Sequence, residues 1–127
     1  MTWLAVLVGG AIGSAARHGV NVAAPRIFGD ATPYATAAVN MIGSLAIGVL
    51  AGALTAQRLS LSLNARALVF TGLLGGFTTF STLMLDGLAL SQAGMAARAF
   101  TNLLGQVIVG CILVYAGYRF GLGSGGD

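Results

Sequence analysis

Polar side chains are sparse in this sequence, and three groups of them stand at spacings that could do chemistry. Thr36, Asn40 and Ser44 recur at i, i+4 and i+8, with Gly48 continuing the row, so on a helix they make one stripe. Asn102 and Gln106, followed by Gly110, make a second stripe. Between them in sequence lies Gly75-Gly76-Phe77-Thr78-Thr79-Phe80-Ser81-Thr82, where a glycine pair and a threonine pair interrupt an apolar run. Hydroxyls and carboxamides donate hydrogen bonds, and the ring edges of Phe77 and Phe80 are the positive end of an aromatic quadrupole. Together with Arg17, these groups form a donor set suited to an anion.

The residues that are missing narrow the chemistry further. The chain has no Glu and no Lys, and its Asp residues are Asp30, Asp86 and Asp127. Ser81 has no base and acid partner, since His18 is the sole histidine, so hydrolytic catalysis is unsupported and no enzyme activity is expected. One histidine and one cysteine, Cys111, cannot build a His/Cys metal site in one chain. Cys111 also excludes an internal disulfide and reads as an apolar packing residue.

Such polar groups must be positioned by elements that are otherwise apolar. Of 127 residues 57% are hydrophobic and 7% charged, and the mean hydropathy is +0.90, which places the chain in a lipid bilayer rather than among soluble domains. Four windows suit spanning helices, about Trp3 to Ala23, Pro33 to Ala56, Ala65 to Leu90 and Ala96 to Phe120. Loops are expected around Pro25, Gly29, Asp30 and Pro33, from Gln57 to Asn64, and from Ser91 to Gly94. No basic residue precedes the first apolar run, so it reads as a retained span with Trp3 at the interface. The expected fold is an all-α membrane protein of four transmembrane helices over residues 1–121, the third broken near its middle, with a flexible tail over 122–127. The break frees backbone groups that lipid cannot satisfy, so it should lie against protein, an ion or water.

Two further patterns bear on assembly. Arg58, Arg66 and Arg119 fall on the side of the N-terminus, and Arg17, Arg26 and Arg98 on the other. Orientation follows the bias of such residues, so this balance predicts insertion both ways and antiparallel self-pairing. Glycines recur at spacing four, at Gly9 and Gly13, Gly48 and Gly52, Gly72 and Gly76, and Gly117 and Gly121, and let helix backbones approach closely. They read as packing seams and favour association, and pathways between subunits suit so small a unit. A proton-coupled exporter, like the small multidrug resistance proteins of similar size, needs a membrane-buried carboxylate. Asp86, towards the end of the third span, is the one candidate and lies near the third loop.

Three motifs, taken in order, resemble one family. Gly9-Gly10-Ala11-Ile12-Gly13-Ser14-Ala15-Ala16-Arg17 resembles its GGxxGAxxR signature, Thr36-Ala37-Ala38-Val39-Asn40-Met41-Ile42-Gly43-Ser44 its TLxxNxxGS, and Gly75 to Thr82 its GGxTTFST. This is the CrcB/Fluc family of fluoride channels, and the resemblance covers nearly the whole chain. It implies a dual-topology antiparallel homodimer in the bacterial inner membrane, with two pores that export fluoride passively and no nucleic-acid partner. It implies a structural Na⁺ at the dimer centre, held by the backbone carbonyls of Gly75 and Thr78 from both subunits. It further implies that Asn40 lines the pore, that Phe80, Ser81 and Thr82 supply the aromatic contact and polar track, and that Arg17 stands near the vestibule. Where many members carry a second Phe the chain has Leu83, and where they carry a Tyr and then a Ser in the fourth span it has Asn102 and Gln106.

Overall fold

The computed structural model describes residues 1–29 and 33–123; Asp30 and residues 124–127 of the expected tail lie outside the described residues. Every regular element among the described residues is helical. In chain order they are α1 (Thr2–Phe28), α2 (Tyr34–Thr55), α3 (Leu63–Arg66), a π-helical stretch (Ala67–Leu74), α4 (Gly75–Phe77), α5 (Phe80–Gln92) and α6 (Ala96–Leu122). The pieces from Leu63 to Gln92 form one broken helix, interrupted at Thr78 and Thr79, which are extended at ψ 161° and ψ 119°.

Three helices are long and apolar enough to cross a membrane, namely Tyr34–Thr55, Leu63–Gln92 and Ala96–Leu122. The 22 residues of α2 rise about 33 Å at ~1.5 Å each, close to the hydrocarbon thickness of about 30 Å. With 27 residues α1 is long enough, but Arg17 and His18 lower its apolarity and it is not one of the three.

The boundaries depart from the sequence reading in several places, among them the end of α5, which takes in Ser91 and Gln92 of the expected third loop. Pro25, expected in the first loop, lies inside α1. Its missing N–H removes one ladder bond near the helix end, and the Gly29 N–H still closes on the Pro25 carbonyl at 3.1 Å. The second loop ends early because the Ser62 hydroxyl accepts the Ala65 N–H at 3.2 Å and starts α3. Leu122, expected in the tail, is the last residue of α6, and Gly123 leaves it with φ 78°. The Arg58 guanidinium donates to the Gly121 carbonyl at 3.4 Å, tying the second loop to this helix end.

Close backbone approach, rather than large interlocking side chains, holds the helices together. Val39 is the one large side chain that is fully buried among the described residues. A Cβ at Gly9 would overlap the Leu68 carbonyl, one at Gly13 the Leu73 carbonyl, and one at Gly76 would reach the Gly10 carbonyl at 2.8 Å. On the other side of the molecule a Cβ at Gly48 or Gly52 would overlap the carbonyl of Val114 or Tyr118, and one at Gly121 that of Val49. The four glycine pairs thus build two seams, α1 against the π-helical stretch and α4, and α2 against α6. Both lie inside one chain, so these glycines are spent on packing within it. On α5, Leu83, Asp86, Gly87 and Leu90 repeat at i, i+3, i+4 and i+7 and are buried; Gly87 lies against the Leu103 side chain of α6.

Candidate functional site

The interruption at Thr78 and Thr79 is bracketed by one side chain. Asn40, half-buried on α2, accepts the Thr79 N–H on Oδ1 at 2.8 Å and donates from Nδ2 to the Thr79 carbonyl at 3.1 Å. Its Nδ2 also donates to Gln106 Oε1 at 2.9 Å, and Gln106 Nε2 donates to Asn102 Oδ1 at 3.0 Å. The two stripes read from the sequence therefore meet, and their meeting point is the break. The Asn102 Nδ2 atom is buried and has no partner among the described residues, which leaves it at the end of this chain of carboxamides.

Thr79 is the residue the sequence reading passed over. Its hydroxyl caps α5, accepting the Thr82 N–H at 3.3 Å and donating to Thr82 Oγ1 at 2.9 Å, with Ser81 Oγ at 3.5 Å. A signal was present: a threonine three residues before another hydroxyl, after a glycine-weakened turn, reads as an N-cap.

Two carbonyls lose their helical donors in consequence. The Thr79 N–H, four residues beyond Gly75, is committed to Asn40, and the Thr82 N–H, four beyond Thr78, is committed to the Thr79 hydroxyl. The Gly75 carbonyl thus lacks the Thr79 donor, and the Thr78 carbonyl accepts instead from Arg17 Nη1 at 3.3 Å. Arg17 was expected in a vestibule; here it is half-buried and reaches the break. Carbonyl oxygens are hard ligands with two lone pairs, so Gly75 and Thr78 fit an alkali cation in chemistry, with one Thr78 lone pair already used.

A cavity of about 380 Å³ opens beside the break, lined by Asn40, Ser44, Thr79, Phe80, Leu83 and Gln106 among others. Leu83, at the position of the family's second Phe, is buried at its wall. Phe80 is 71% exposed on the chain surface, and Ser81 and Gly75 are exposed beside it. Thr36 is buried one turn before Asn40 and is not part of this lining. Phe77 is half-buried outside it, with its backbone N–H against Gly13 in the α1 seam and its ring beside Gly43.

The break joins two helix ends of opposite polarity. Carbonyls at the end of α4 carry partial negative charge, and the first N–H groups of α5 carry partial positive charge. Backbone alone can thus attract a cation on one side and an anion on the other. Asp86, expected near a loop, is 5% exposed in the α5 face that packs on α6, and its Oδ2 has no partner among the described residues.

Comparison with known proteins places the chain in a family. The sequence profile of the family described as CrcB-like protein, Camphor Resistance (CrcB), matches residues 4–118. A protein of Chloroflexus aurantiacus named fluoride-specific ion channel FluC is 42% identical over 123 residues, 97% of each chain. Proteins of the same name from Paracoccus denitrificans and Agrobacterium fabrum are 45% identical over 122 residues and 41% over 116 residues. Those alignments cover 96% and 91% of this chain, and 95% and 92% of the relatives.

Proposed function

The chain belongs to the CrcB family, a family of ion channels and not of enzymes, and on that premise we propose that it is a fluoride-selective channel that lets fluoride leave the bacterial cytoplasm passively and so confers fluoride resistance. The observation that carries this reading is the Asn40 bracket, which holds the N-terminus of α5 open towards a largely apolar cavity whose few polar lining residues include Asn40, Ser44, Thr79 and Gln106. Fluoride is small and strongly hydrated, so a path for it must replace water by closely spaced donors; Ser81, Thr82, Gln106, Asn102 and the edge of Phe80 would supply them, while both Asn40 amide hydrogens hold the Thr79 carbonyl and Gln106 in place.

The proposed assembly is an antiparallel homodimer of four-span chains in the inner membrane, α1 included, with two pores. Gly75, Phe80 and Ser81 are exposed on an opened backbone, which lipid does not tolerate. A second copy would cover them, and the even arginine count permits the inverted insertion. A structural Na⁺ would be held by the carbonyls of Gly75 and Thr78 from both copies, where it would offset the negative ends of two α4 helices.

Buried Asp86 supports a second reading, a proton-coupled exporter of small molecules. Efflux from liposomes holding the purified protein separates the two. Fluoride release without chloride release, needing no pH gradient and surviving Asp86→Asn within about threefold, is the expected result. Transport driven only by a pH gradient and lost in Asp86→Asn would favour the exporter.

A further inference from the structure

We propose that Arg17 competes with the central cation for the Thr78 carbonyl, so that its guanidinium weakens cation binding at the break. The inference rests on the proposed cation site at Gly75 and Thr78. Gly9, Gly13 and Arg17 form one row at spacing four on α1. A Cβ at Gly9 would strike Leu68 and Leu73, and one at Gly13 would strike Leu73 and Phe77, so the row tracks the broken helix turn by turn. One turn further on, Arg17 meets Thr78, 61 positions away in sequence, at 3.3 Å. The glycine seam therefore delivers a guanidinium to the oxygen that the break has stripped of its Thr82 donor.

In a single chain this contact is favourable, because an orphan carbonyl in apolar surroundings is costly and a charged donor satisfies it. A cation on the same oxygen changes the balance. It would share that oxygen with a full positive charge, and like charges so close repel strongly where water is scarce. Either the guanidinium withdraws and its hydrogen bond is lost, or it stays and the repulsion remains. Both outcomes lower the apparent affinity for the cation. Arg17 is thus a placeholder that satisfies Thr78 before assembly and sets how much cation the assembled dimer requires.

The test is the thermal stability of the purified dimer titrated with Na⁺ at constant ionic strength, with N-methylglucamine as the replacing cation. Arg17→Gln should reach its stability plateau at roughly tenfold lower Na⁺ than wild type, whereas Arg17→Lys, which keeps the charge, should stay near wild type. An unchanged or higher Na⁺ requirement in Arg17→Gln overturns the proposal. Should that variant fail to fold, ¹⁵N NMR of the wild-type guanidinium Nε, assigned through Arg17→Lys, decides: a signal that moves with the stability midpoint supports competition, and one blind to Na⁺ refutes it. A wild-type dimer indifferent to Na⁺ would remove the cation reading itself and this inference with it. A Na⁺ dependence shared unchanged by wild type and Arg17→Gln would remove the inference alone.

Discussion

Gly75 to Thr78 and Thr79 to Thr82 are adjacent tetrads of similar composition that do opposite things. The first ends a helix and offers carbonyls; the second begins one and offers N–H and O–H groups. They differ chiefly in what reaches them. A guanidinium from α1 lies on the Thr78 carbonyl, whereas a carboxamide from α2 clasps both backbone groups of Thr79. The carbonyl end is made by backbone groups and has room for a Cβ at Gly75, while the donor end depends on particular side chains. The break is therefore a junction of two half-sites rather than one site.

Substitutions can break or sharpen this contrast. The largest effect is expected from Asn40→Leu, which leaves the Thr79 N–H and carbonyl unclasped and ends the carboxamide chain through Gln106. Fluoride efflux from liposomes should fall by at least about 100-fold, equivalent to ~3 kcal/mol of barrier. Thr79→Val keeps the shape but removes the hydroxyl that caps α5 and binds Thr82. A lost cap costs about 1 kcal/mol, so the unfolding midpoint should drop by a few degrees and efflux by roughly fivefold. The smallest effect belongs to Gly75→Ala on the carbonyl side. A Cβ there would meet the Phe70 carbonyl at an ordinary 3.6 Å, and the substitution preserves the Gly75 carbonyl, so efflux should stay within about twofold. A Gly75→Ala loss as large as that of Asn40→Leu would erase the proposed difference between the two ends.

Much of this junction is legible in the sequence, because its signals are local. The glycine and threonine pairs announce the break, and the spacing-four rows announce both the seams and the stripe that carries Asn40. The long-range pairings are not legible. Nothing near Thr79 indicates that Asn40, 39 positions earlier, takes its N–H, so the hub of the site went unnamed while its neighbours were chosen. The depth of Arg17 in its span can be counted from the sequence, but its contact with Thr78, 61 positions away, cannot. The π-helical stretch at Ala67–Leu74 leaves no compositional mark, since its residues suit an α-helix equally well. Asp86 was placed near a loop by counting residues, whereas the packing of α5 on α6 decides its burial. Glycine spacing gave the seams correctly but not whether they join helices within a chain or between chains, because close approach looks the same in both cases.

The measurement that tests the two-part junction most directly is made on Asn40→Leu alone, with fluoride efflux and the Na⁺ dependence of dimer stability read on the same preparation. The account predicts that efflux collapses while the dimer is still stabilised by Na⁺ through the Thr78 carbonyls, whose lost donor, the Thr82 N–H, does not depend on Asn40. An Asn40→Leu dimer that conducts fluoride at the wild-type rate would contradict it.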